Sequence, residues 1–192
     1  MNWLEIIGTA IGLIYLYLEY RASAWLWVAS ILMPAVYLKV YYDAGLYADF
    51  AINIYYIIAS VYGLFCWLRR HSDSGNVAEI THTPKRLYLP LAGVCGVLLV
   101  IIGVVLSRFT DSTVPWADAF TTALSIVALW MLSRKYLEQW LVWIVVDIGC
   151  TILYAYKALP FTSGLYLLYT LIAIAGYRKW KNTTNESSKL YK

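Results

Sequence analysis

Asp49, Asn53, Tyr56, Ser60, Gly63 and Trp67 recur at steps of four and three within Tyr47 to Trp67, an otherwise apolar run. That spacing sets them along one face of a helix. Polar groups at membrane depth are costly unless they face a protein interior or a watery cavity, so the stripe points to a path for a polar solute. The plainer alternative is that these groups bond neighbouring helices. Trp140, Trp143, Asp147, Cys150 or Thr151, and Tyr154 share a second face by the same spacing. A carboxylate in mid-span costs about 2.5 to 3.5 kcal/mol on insertion scales and needs a partner. The partner is either a Lys, Arg or Tyr of the protein, or a cationic or heteroaromatic ring held by the aromatic faces, where cation–π attraction gives about 0.5 to 2 kcal/mol. Asp118, Thr122 and Ser125 repeat the one-face pattern, although such hydroxyls can equally bond back to their own helix. The candidate solute-binding residues are therefore Asn53, Tyr56, Trp140, Trp143, Asp147, Tyr154, Thr122 and Asp49, with no catalytic group and no metal ligand among them.

The elements that must carry these faces are membrane helices. Of 192 residues, 61% are hydrophobic and only 14% charged, with a mean hydropathy of +0.63, which lies outside the usual soluble range. Apolar segments long enough to cross about 30 Å of hydrocarbon at 1.5 Å per residue occur at 3–20, 24–43, 47–68, 88–107, 116–133, 138–157 and 162–180. Backbone polar groups must be satisfied internally in lipid, so the expected class is all-α integral membrane with seven spans.

The formal net charge of +4 says less than its placement. Sorted by alternate sides of seven spans, 12 Lys and Arg fall on one side and 3, Lys39, Arg108 and Lys157, on the other. The positive-inside rule then predicts an outside N-terminus and a cytoplasmic C-terminus. These basic residues need no nucleic acid. The start, Met1-Asn2-Trp3, lacks a basic n-region, so the first span is expected to be retained. Cys66, Cys95 and Cys150 stand apart with no CxxC spacing and read as small core residues. His71 and His82 read as solvated.

Residues 3 to 69 align with 116 to 182 at a constant shift of 113, with 12 identities and no gap. Three of these pairs, Trp3 with Trp116, Trp27 with Trp140 and Trp67 with Trp180, match Trp to Trp, which chance supplies least easily. Three spans leave the chain on the far side, and the fourth carries it back. The expected plan is 3+1+3, two parallel three-helix repeats about an axis along the membrane normal, SWEET-like, with the solute site between them near mid-membrane. Its parts are a first repeat (1–69), a cytoplasmic loop (70–87), a linker helix with outer loop (88–115), a second repeat (116–182) and a disordered cytoplasmic tail (183–192). Where the copies differ in polarity, Asn53 meets Tyr166, Asp49 meets Thr162, and Pro34 meets Asp147. An asymmetric solute requires such departures. Pro34 frees a backbone carbonyl and is a candidate hinge.

Other classes fit poorly. There is no G-x-S-x-G, no H-E-x-x-H and no Walker A sequence, and Thr162 to Tyr177 holds no lysine for a retinal Schiff base. No enzyme activity and no cofactor are expected.

Asn53, Tyr56, Tyr62-Gly63 and Trp67, then WADAFTTALSIVALWMLSRKYLEQWLVWIVVD and LYAYKALPFTSGLYLLY, resemble the PnuC family of bacterial vitamin transporters. The similarity runs from Trp3 to Trp180, and its most specific block carries Trp116, Asp118, Ser125, Lys135, Glu138, Trp140, Trp143, Asp147 and Lys157. The resemblance implies a seven-helix SWEET-like fold in the bacterial inner membrane and facilitated diffusion of nicotinamide riboside, made one-way by a cytoplasmic vitamin kinase. It also implies relatives that carry thiamine or riboflavin. Two positions depart from nicotinamide riboside members: Ile52-Asn53 stands where Leu-Gln is usual, and Gly63-Leu64 where Gly-Trp is usual. Thiamine, also a cationic heteroaromatic, is the rival solute. The expected partners are this small molecule, the lipid bilayer and the kinase, with self-association left open.

Overall fold

A computed structural model describes residues 3–43, 47–74, 80–110, 113–156 and 160–190. They form seven helices: α1 (Trp3–Tyr20), α2 (Trp25–Asp43), α3 (Tyr47–Ser74), α4 (Lys85–Phe109), α5 (Pro115–Ser133), α6 (Gln139–Tyr156) and α7 (Pro160–Leu190). Among the described residues, α4, α5, α6 and Pro160–Asn185 of α7 are each long and apolar enough to span a bilayer. The chain divides into two compact units, Met1–Glu79 and Ile80–Lys192.

In the first unit α2 packs on α3 and, less extensively, on α1. Gly63 brings α3 so close to α2 that a Cβ there would collide with the Trp27 ring. Trp27 in turn meets Trp67 edge-on, with centroids 5.7 Å apart and planes at 85°. Small residues permit this approach, and interlocking rings replace the hydrophobic drive that lipid cannot supply. The α1–α2 turn passes through Ala22 at φ 52. There the Ala22 N–H donates to Glu19 O at 2.8 Å and the Ser23 N–H to Leu18 O at 2.9 Å, which closes the last carbonyls of α1 in a Schellman-like cap.

In the second unit α5 packs on α4 and α6, and α6 on α7. Gly176 admits the Trp140 ring, whose Cζ2 would lie 2.7 Å from an added Cβ. Trp140 meets Trp180 edge-on at 5.6 Å and 90°. The α5–α6 turn passes through Lys135 at φ 54, with the Lys135 N–H on Leu132 O at 2.9 Å and the Tyr136 N–H on Met131 O at 3.1 Å. Each of these residues is its first-unit counterpart shifted by 113. Gly103 of α4 accepts the Trp116 ring of α5, and Ser163 of α7 donates to Thr151 O of α6 at 2.8 Å.

Two boundaries depart from the sequence reading. The loop expected over 70–87 is shorter, because α3 runs to Ser74 and α4 begins at Lys85. The tail expected to be disordered from 183 is helical through Leu190. Hydropathy marks where lipid ends, whereas helical hydrogen bonds are local and carry on into water. Thr183 and Thr184 continue the ladder side by donating to Lys179 O and Trp180 O at 3.2 and 2.9 Å. His82, expected to be solvated, has a 59% exposed side chain, and its Nδ1 also lies 2.7 Å from Glu138. Residues 80–84 run along the α5–α6 turn: the Thr81 N–H donates to Lys135 O, and the Leu137 N–H donates to Thr81 O.

Candidate functional site

The face of α6 carrying Trp143, Asp147, Cys150 and Tyr154 is built as the spacing predicts a helix to build it, since Gln139–Tyr156 is unbroken. Asp147 is only 6% exposed. Among the described residues no lysine, arginine or histidine pairs with its carboxyl group. Its surroundings are phenolic: the hydroxyls of Tyr166 and Tyr169 on α7 lie within electrostatic reach. Tyr154 stacks on Tyr166 with centroids 5.2 Å apart and planes 13° from parallel, and Tyr166 meets Tyr169 edge-on at 5.6 Å. Trp143 lies one turn before Asp147 with its Nε1 buried and without a hydrogen-bond partner among the described residues. The arrangement joins an acidic group without a protein cation, an indole N–H in need of an acceptor, and a pair of stacked rings. Such a set holds a flat cation by charge, stacking and one directed hydrogen bond.

Trp140 has the phase of this face but is engaged in helix packing. Its ring is 1% exposed and is taken up between Gly176 and Trp180. Thr122 donates to Asp118 O at 2.7 Å, and Ser125 donates to Thr121 O at 2.8 Å. These hydroxyls spend their protons on their own helix and retain only acceptor capacity. Thr151 likewise donates to Asp147 O at 2.7 Å.

On α3 the polar stripe divides in two. Ser60, Gly63 and Trp67 are buried and pack on α2, which is the helix-bonding alternative rather than a solute path. Asn53 is half-buried and Tyr56 is 42% exposed, its ring tilted against Tyr55 at 5.7 Å. Asp49 lies in the backbone of α3, and its side chain falls outside the described residues. Pro34 sits inside α2, which continues through it from Trp25 to Asp43.

Sequence reasoning did not include Tyr166, Tyr169 or Gln139 among the site residues. Tyr166 had a usable signal, because it stands where the first repeat has Asn53. Among the described residues no three His, Cys, Asp or Glu side chains cluster as a metal site would require.

Away from the α6 face, Glu138 closes the α5–α6 turn onto the segment before α4. It accepts from the Thr83 N–H at 2.7 Å and the Thr83 hydroxyl at 2.8 Å, and lies 2.7 Å from His82 Nδ1. Burial opposes its charge, but these bonds outweigh burial and hold the carboxyl below its usual range.

Comparison with known proteins agrees with this architecture. A family described as nicotinamide mononucleotide transporter matches residues 2–182. The nicotinamide riboside transporter PnuC of Escherichia coli (strain K12) is 24% identical over 210 residues, covering 97% of this chain and 88% of that one. The riboflavin/roseoflavin transporter RibM of Streptomyces davaonensis is 25% identical over 182 residues, covering 93% and 84%. The crystal structure of the vitamin B3 transporter PnuC superposes with a TM-score of 0.72 at 22% identity, over 96% of this chain and 83% of the other. Matched by that family over residues 2–182, nearly its whole length, the chain belongs to the nicotinamide mononucleotide transporter family.

Proposed function

We propose that the protein is a facilitative importer of a small cationic heteroaromatic B vitamin, nicotinamide riboside first and thiamine second. The observation that carries this reading is Asp147, a buried acid on α6 with no protein cation paired to it among the described residues. A bare carboxyl at membrane depth is a liability for stability alone. Set beside Trp143 and the Tyr154–Tyr166 stack, it is a counter-ion for a pyridinium or thiazolium ring. Riboflavin is neutral and gains nothing from such a charge, so the name of RibM favours the transport class rather than this solute.

In this reading Trp143, Asp147 and Tyr154 contact the solute, with Asn53 and Tyr56 as further contacts, Asp49 and Thr122 as weaker acceptors, and Trp140 as the buttress that fixes α6 on α7. The 3+1+3 plan is supported by the matched turns at Ala22 and Lys135 and by the two Trp–Gly–Trp locks. Pro34 is the assigned hinge. Orientation with a cytoplasmic C-terminus rests on the Lys and Arg bias. Driving force comes from the vitamin's gradient, kept steep by a cytoplasmic kinase that phosphorylates it.

The test is uptake of labelled nicotinamide riboside, thiamine and riboflavin into proteoliposomes, for the unaltered protein and for Asp147→Asn. The expected result is saturable uptake of one cationic vitamin and loss of at least tenfold in affinity in the variant, a scale set by a single charge-assisted contact of about 1.5 to 3 kcal/mol. Uptake of none of the three, or unchanged affinity in Asp147→Asn, would overturn the reading.

A further inference from the structure

Gln139 opens α6 and has no exposed surface. Neither its Oε1 nor its Nε2 has a hydrogen-bond partner among the described residues. Burying a primary amide unpaired is costly, and such a group in a folded protein calls for an explanation. Packing supplies none. Under the shift of 113 its counterpart is Leu26, equally without exposed surface. Both residues are held by the same turn: the Leu26 N–H donates to Ser23 O at 3.1 Å, and the Gln139 N–H to Tyr136 O at 3.3 Å. The position accepts an aliphatic side chain in one unit, so the amide in the other serves something besides the fold.

Its place on the helix indicates what. Gln139 precedes Trp143 by four residues and Asp147 by eight, so the three share a face. At 1.5 Å per residue the stretch spans about 12 Å, the length of a solute with a ring and one substituent lying along α6. Trp143 Nε1 in the middle is also buried and unpartnered among the described residues. A glutamine amide offers one donor and one acceptor side by side, and complements a group that does the same.

We infer that Gln139 is a specificity-determining residue of the solute site, pairing with the donor–acceptor edge of the vitamin (carboxamide or aminopyrimidine) while Trp143 takes the ring and Asp147 the charge. This rests on the transport reading above and names the part of the solute that this side chain reads. A site built to pair such an edge discriminates strongly against an analogue that lacks it, because its own polar atoms are then left bare. The same logic makes Gln139→Leu harmless to the fold, since it removes two unpaired buried atoms and installs the residue of the other repeat.

The experiment measures binding to the purified full chain by tryptophan fluorescence, with thermal unfolding alongside. The probes are nicotinamide riboside and pyridinium riboside, which lacks the carboxamide. For a protein that prefers thiamine the pair is thiamine and its 4′-deamino analogue. Gln139→Leu is expected to unfold at or above the temperature of the unaltered protein. It should lose about tenfold or more in affinity for the complete vitamin and bind the analogue as the unaltered protein does. Equal affinity of both proteins for the complete vitamin overturns the assignment, and so does an equal loss for vitamin and analogue, which would mark a packing effect. If Asp147→Asn abolishes binding while Gln139→Leu does not, this inference falls and the transport reading stands. If the unaltered protein binds none of these compounds, both fall.

Discussion

Ser60 Oγ on α3 lies 3.4 Å from the backbone oxygen of Ser30 on α2. That carbonyl is the one that Pro34, four residues on and without an N–H, leaves without its helical donor. A buried carbonyl deprived of its partner is expensive, and the Ser60 hydroxyl, which also reaches its own Tyr56 O at 2.7 Å, is within reach to supply one. The second unit has no need of the device. There the proline position is Asp147, which keeps its N–H, and the serine position is Ala173, buried and without a hydroxyl. The proline and the serine therefore depart from the repeat together.

A double-mutant cycle tests this pairing. Ser60→Ala is expected to cost about 1 kcal/mol of stability. In a Pro34→Ala background the backbone N–H regained at position 34 can donate to Ser30 O, and the cost of Ser60→Ala should fall close to zero. Thermal unfolding in detergent gives the coupling directly, and additive effects of the two changes would refute it.

The Trp–Gly locks make a second, paired prediction. Gly63→Ala and Gly176→Ala each push a methyl group into an indole ring, and overpacking of this kind costs about 1 to 3 kcal/mol. Gly93 and Gly96 on α4 have open space where a Cβ would go. Gly93→Ala and Gly96→Ala should therefore raise stability by up to about 1 kcal/mol through helix propensity alone. Comparable losses at all four sites would show that the rings do not set the helix spacing.

These contacts mark the limits of what the sequence makes legible. The helices and the α6 face around Asp147 follow from hydropathy and periodicity, since burial and lipid exposure impose the period that a hydropathy pattern records. The division of the α3 stripe does not, because Ser60 and Asn53 have the same phase on the helix and only the approach of α2 separates them. Helix ends also escape: α7 continues past Asn182 on hydrogen bonds that no hydropathy window senses. The pairing of Glu138 with His82 joins residues 56 apart in sequence, and periodicity is silent about contacts between segments. Gln139, next to Glu138 at the edge of a span, looks like interfacial polarity until its burial is known.

Glu138 gives a pH dependence whose sign follows from its bonds. Its carboxyl is held below the usual range in the folded chain, so its contribution to stability is full above the ordinary carboxylate range and fades as pH falls through the lowered value. Glu138→Gln keeps one acceptor for Thr83 but loses the charge, and should cost about 1 to 2 kcal/mol near neutral pH. Its stability should also be flatter on acidification than that of the unaltered protein. His82→Ala should cost less, because the His82 side chain is 59% exposed and water screens its pairing. Unfolding temperatures from pH 7 down to pH 4 for the three proteins decide the matter, and parallel curves would remove Glu138 from this role.

Tyr166 is the clearest departure between the repeats, standing where the first carries Asn53, and it presents a ring to Tyr154 at 5.2 Å beside Asp147. If the ring is what the solute uses, Tyr166→Phe should transport as the unaltered protein does, since it preserves stacking and surrenders only a hydroxyl. Tyr166→Asn, which copies the first repeat, removes the stacked pair. An aromatic pair is worth about 0.5 to 1.5 kcal/mol beyond area burial, so affinity for a flat cationic vitamin should drop by roughly three- to tenfold. Uptake kinetics in proteoliposomes separate the outcomes. A loss in Tyr166→Phe as large as in Tyr166→Asn would make the hydroxyl rather than the ring the recognising group, and would shift the role of Tyr166 from stacking to hydrogen bonding near Asp147.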